Sequence, residues 1–101
     1  MARQIRQFKN IRIWAHNRGL IQFGDVKSQV IKLNEEVGEI NRAILKQDDK
    51  GFKDGIGDAI VVLVNLAAIG GTSAEECLAI AYDEIKDRKG SIKNGSFAKD
   101  E

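Results

Sequence analysis

With 101 residues, 43% hydrophobic and 31% charged, the chain has the bulk properties of one folded domain, small enough that assembly would help it bury a core. Lys+Arg 16 against Asp+Glu 15 leaves a net charge of +1, without the basic excess a sequence-independent nucleic-acid binder needs, so no nucleic-acid polymer is expected as a partner. The lone Cys77 excludes an internal disulfide framework, the polar start gives no signal-peptide pattern, and Asn65 interrupts the longest apolar run, so a cytoplasmic chain without a membrane span is expected.

The pattern predicts four helices in a single domain over residues 1–101, punctuated by glycine, since there is no proline. The first spans about Arg3 to Arg18, with Ile5, Phe8, Ile11, Arg12 and Ala15 on one side and Gly19 as its stop. Leu20-Ile21-Gln22-Phe23-Gly24 reads as a connector, too apolar to lie free in solvent. In the second helix Val26, Val30, Leu33, Val37, Ile40 and Ile44 alternate steps of four and three, and the helix should end near Gln47-Asp48-Asp49.

The third predicted helix covers Gly51 to Ile69 and closes at Gly70-Gly71. From Ala59 onward it is apolar nearly all round, and a helix of that kind must be surrounded. Three short helices can hardly do so, which implies an oligomer with this helix at its centre. The fourth opens on a capping signature, Ser73-Ala74-Glu75-Glu76, and turns Ala74, Leu78, Ala81 and Ile85 inward. It runs out in Lys86-Asp87-Arg88-Lys89-Gly90, and residues 92–101 read as a polar tail. The fold class is all-α.

The chemistry lies in the acids. At about 100° per residue, Lys32, Glu36, Glu39 and Ala43 form a ridge beside the apolar stripe of the second helix, with Glu35 further round. On the third helix Asp54, Asp58 and Asn65 share a narrow sector. If the two helices pack antiparallel, carboxylates converge, and they repel unless a proton or cation lies between them. Hard oxygen ligands in such number suit Mg²⁺ or Mn²⁺. A plainer reading stands beside this one: glutamates at this density are commonly a solvated face paired with Lys32, Arg42 or Lys46, and Asp54 near a helix start acts as a capping residue. Asp58 and Asn65 resist it, because they interrupt an apolar surface, although Asn65 also fits a registry role at an interface.

Glu35-Glu36-x-x-Glu39 followed by Gly57-Asp58-Ala-Ile-Val-Val-Leu resembles the all-α nucleoside triphosphate pyrophosphohydrolases of the MazG type, relatives of the dimeric dUTPases. The resemblance extends from Trp14 and Arg18-Gly19-Leu20 through Ile85-Lys86-Asp87-Arg88-Lys89-Gly90 to Asn94-Gly95. It implies a four-helix MazG-type bundle completed by homo-oligomerisation, and hydrolysis of a nucleoside triphosphate to the monophosphate and pyrophosphate. It also implies Mg²⁺ (or Mn²⁺) held by Glu36, Glu39 and Asp58, with Glu35 orienting or deprotonating water or helping to hold a second ion. The family carries EExxE on one helix and ExxD on the next, whereas this chain has Gly55 where the latter glutamate belongs. Asp54, one turn before Asp58, is expected to stand in. Lys32, Lys86, Arg88, Lys89, Lys93 and Asn94 are candidates for the substrate, and Trp14 or Phe23 for stacking on the base, although both aromatics read first as core. The sole histidine, His16, reads as an exposed helical residue. The competing function is a non-catalytic, oligomeric all-α interaction module.

Overall fold

The computed structural model describes the backbone of residues 2–100 and the side chains of residues 6–100, so the predicted inward role of Ile5 lies outside the described side chains. The chain forms α1 (Ala2–Asn17), α2 (Leu20–Phe23), α3 (Val26–Leu45), α4 (Asp49–Ile69) and α5 (Ala74–Ile85), then β1 (Gly90–Lys93) and β2 (Ser96–Lys99). The four expected helices are present, and the fold is all-α in its body. The apolar connector is itself a single helical turn, α2. Gly19 allows the reversal before it, at φ 80°, a left-handed conformation that suits glycine.

The position of the acids is set by the pairing of α3 with α4. Gln47 is left-handed at φ 54°, and the Gln47 and Asp48 amides donate to the Ile44 and Ala43 carbonyls, a Schellman stop that ends α3 abruptly. Asp48 then caps α4, its Oδ1 accepting from the Gly51 amide at 3.0 Å. A connection this short returns the chain antiparallel. Across the seam Ala43 lies against Gly51 and Ile40 against Gly55, while Glu36 and Glu39 meet Asp58. Gly55 is buried there, and a Cβ on it would stand 2.7 Å from Ile40 Cγ1.

At the other end of α4, Gly71 adopts φ 86° and the Thr72 amide donates to the Ala67 carbonyl. The chain bends by 102° into α5, which Ser73 caps as predicted, its Oγ accepting from the Glu76 amide at 3.1 Å. No single helix among the described residues is long and apolar enough to cross a membrane.

Arg12 and Glu75 clamp α1 to α5 through two parallel hydrogen bonds of 2.7 Å, a pairing sixty-three residues apart that helical periodicity does not encode. The Arg12 hydrogen bond holds the Glu75 carboxyl below the usual carboxylate range. A lowered folded pKa means that the unfolded chain takes up the proton first on acidification. The stabilisation is therefore present above the ordinary carboxylate pKa of about 4.3 and is lost as pH falls through the lower folded value. The two side chains are 25% and 34% exposed, so solvent screening keeps the contribution to about 1 kcal/mol. Glu75→Gln is expected to lower stability by that amount at neutral pH, and urea melts should show the gap to wild type closing at acid pH.

Three sequence expectations are corrected. The C-terminal tail is a β-hairpin, with Ile92 opposite Phe97 and Asn94-Gly95 at the turn, both at positive φ. This asparagine–glycine pair is the favoured two-residue hairpin loop. Trp14 and Phe23 are not core: Trp14 is half exposed under the Arg18 guanidinium, 4.4 Å from the ring centroid, and Phe23 is 88% exposed. The inner stripe assigned to the fourth helix is also uncovered, with Leu78 and Ile85 both more than half exposed. The fully apolar part of α4 is only partly enclosed, Val62 and Val64 being buried while Ile60 and Leu63 remain over 40% exposed. A radius of gyration of 15.9 Å, against about 13 Å for a compact chain of this length, fits a body that does not close on itself.

Candidate metal centre

Glu36 and Glu39 project from adjacent turns of α3, and Asp58 faces them from α4. Each offers a carboxylate oxygen, and these oxygens all lie within 4.8 Å of one another. Glu39 and Asp58 are exposed, whereas Glu36 is only 8% exposed. Its Oε2 is buried without a hydrogen-bond partner. Burial pushes the Glu36 carboxyl above its ordinary value, the charges of Glu39 and Asp58 push it further, and Lys32, one turn earlier, opposes them. An orphaned, desolvated oxygen facing two further carboxylates is costly unless something positive occupies the space between them. The donor set is all hard oxygen, and the residues fit a small divalent cation.

The structure separates the other predicted residues. Asp54 is not among the three grouped acids. It is exposed and lines the same cleft, of about 340 Å³, to which Glu39, Asp58, Gly51 and Gly55 contribute. Glu35 points outward and is exposed. Lys86, Arg88, Lys89, Lys93 and Asn94 do not line the cleft. Lys86, Arg88 and Lys89 lie at or just beyond the end of α5, and Lys93 and Asn94 in the hairpin, whose strands pack on no helix of their own chain among the described residues. Asn65, two turns beyond Asp58, is 2% exposed with its Oδ1 unpartnered. The sequence missed Arg42 and Lys46 as members of the site. Both line the cleft; their spacing from Glu39 by one and two helical turns puts them on its side of α3, but only the pairing with α4 opens a cleft there.

Fold and site together define a helical protein in which two antiparallel helices present opposed carboxylates. The chain belongs to the MazG nucleotide pyrophosphohydrolase domain family, whose pattern it matches over residues 16–91, a span that includes the whole α3–α4 pair. A protein of Haemophilus phage HP1 (strain HP1c1), described as an uncharacterized 18.2 kDa protein in the rep-hol intergenic region, is 44% identical over 59 residues. The match covers 58% of this chain and 36% of the phage protein, so this chain represents well under two thirds of that relative's length. No solved structure matches the chain.

Proposed function

We propose that the protein hydrolyses a nucleoside triphosphate to the monophosphate and pyrophosphate with Mg²⁺, or Mn²⁺, held by Glu36, Glu39 and Asp58. The observation that carries this reading is the buried, unpartnered Oε2 of Glu36 beside two further carboxylates, in a chain of the pyrophosphohydrolase family. When bound, the cation supplies positive charge to the phosphate oxygens and makes water a better nucleophile at neutral pH. The remaining roles fall to the chain itself. Glu36, fixed in the helix seam, sets the depth of the site, while Glu39 and Asp58 close it from the two helices. Asp54 sits at the rim of the cleft and acts through water. Glu35, on the outer side of the same turn, is the group assigned to receive the proton of the attacking water. The bond broken is the phosphoanhydride between the α- and β-phosphates.

The working form is a homo-oligomer. An apolar groove of about 610 Å³ between α1, α4 and α5, lined by Phe8, Leu63, Val64, Ala67, Leu78 and Ala81, is open in the single chain. A second copy covering it would enclose α4. It would also give the hairpin, which at two strands is marginal alone, a surface to rest on. Lys86, Arg88, Lys89, Lys93 and Asn94 would then reach substrate from the neighbouring subunit.

A panel of canonical and modified nucleoside triphosphates, incubated with Mg²⁺, should yield monophosphate and pyrophosphate in equal amounts from at least one member. Activity that persists in Asp58→Asn would remove the assigned site. Inertness toward the whole panel, with no stabilisation by Mg²⁺, would leave only an interaction module.

A further inference from the structure

The cleft beside the acids has a second chemical character. From Glu39, α3 continues to Arg42 and Lys46, and at about 100° per residue these three side chains lie within about 60° of one another. All three line the cleft together with Asp54 and Asp58 of α4. Among the described residues neither Arg42 nor Lys46 forms an ion pair, although acids surround both. No aromatic or large apolar side chain lines the cleft, so it offers nothing on which a base could stack. Its volume of about 340 Å³ falls at the lower end of small-molecule sites, roughly 300–1,000 Å³.

We infer that Arg42 and Lys46 bind the phosphate chain of the substrate, and afterwards the pyrophosphate product, at the end of the cleft next to the metal-holding acids. The inference rests on the hydrolase reading and assigns the direction in which the substrate lies: phosphates along α3 toward its C-terminus, base outside the cleft. Two free cations one and two turns from the carboxylates complement a metal-bound polyphosphate, whose charge the cation alone does not neutralise. The guanidinium supplies a planar fork of donors and the ammonium a point charge. Compensation of the α3 dipole would also place cations near this helix end, but that role affects stability and not ligand affinity.

The test is calorimetric titration of the protein with inorganic pyrophosphate in the presence of Mg²⁺, beside steady-state hydrolysis of the best nucleotide found. Arg42→Gln and Lys46→Gln should each weaken pyrophosphate binding and raise KM by about tenfold or more, the double variant further. Binding of Mg²⁺ alone and the melting temperature should stay at wild-type values. Arg42→Lys, which keeps the charge but not the fork, should fall between. Wild-type affinity and KM in the double variant would overturn the inference while leaving the hydrolase intact, as would failure of wild type to bind pyrophosphate. Pyrophosphate binding that depends on Arg42 and Lys46, in a protein that hydrolyses no nucleotide, would support the phosphate site and remove the hydrolase reading instead. A loss of affinity matched by a lowered melting temperature would assign both residues to the dipole and overturn the inference.

Discussion

Glu36→Gln is expected to make the metal-free protein more stable and the enzyme inactive. The wild-type carboxylate is buried with one oxygen unpartnered, and burial together with the charges of Glu39 and Asp58 disfavours its ionised form. Glutamine has nearly the same shape, carries no charge and can donate from its amide to either neighbouring carboxylate. The gain should be on the order of 1 kcal/mol, since hydrogen bonds to charged groups contribute more than neutral ones and repulsion is relieved. In a domain of this size that corresponds to a rise in melting temperature of about 4–8 °C. The same change removes an anionic ligand from the seam. Stabilisation by Mg²⁺ should vanish, and hydrolysis should fall by more than the ~10–100-fold typical when only an outer-shell partner of a ligand is lost. Thermal melts with and without Mg²⁺, beside a hydrolysis assay, read both effects. Lower stability in the metal-free variant would mean that Glu36 is a structural acid with a partner the site geometry does not reveal.

Substituting alanine at Gly55 and at Gly57 of α4 should change stability in opposite directions. Gly55→Ala places a Cβ 2.7 Å from Ile40 Cγ1 in the buried seam, so Ile40 must move and the α3–α4 contact with it. Overpacking of this kind costs about 1–3 kcal/mol and exceeds the helix-propensity gain of about 1 kcal/mol. At Gly57 a Cβ would meet nothing within 4 Å, so Gly57→Ala keeps the propensity gain and should stabilise by up to about 1 kcal/mol. Denaturant melts of the pair decide the matter. This asymmetry also bears on the glutamate missing from position 55. The close approach of Ile40 leaves no room there for a side chain, so a ligand could not be restored by Gly55→Glu without parting the helices that hold the other three acids.

The helices were readable from the sequence because their signals are local. The four-and-three alternation of α3, the capping serine of α5 and the double glycine after α4 each specify backbone geometry within a few residues. The grouping of Glu36, Glu39 and Asp58 was also within reach, since helical phase placed the first two on one ridge and a short turn brought the third across. What escaped was non-local or overruled by context. Gly55 read as the place of a missing glutamate and proves to be a contact surface, a fact that depends on Ile40 fifteen residues earlier. Arg42 and Lys46 read as partners for glutamates because spacing along one helix cannot show that a cleft opens beside them. The hairpin was missed despite its asparagine–glycine turn, because a short, charged stretch after a helix resembles a tail. Trp14, Phe23, Leu78 and Ile85 were expected inside and are exposed in the single chain, and of these Leu78 lines the groove for which a second copy is proposed.

The most direct test of the acidic triad as a cation site is an Mn²⁺ titration followed by electron paramagnetic resonance, on wild type, Asp58→Asn and Asp54→Asn. The predicted result is saturable binding in wild type, its loss in Asp58→Asn, and a bound signal retained in Asp54→Asn, whose carboxylate lies outside the group of three. Undiminished Mn²⁺ binding in Asp58→Asn would contradict the assignment of the triad.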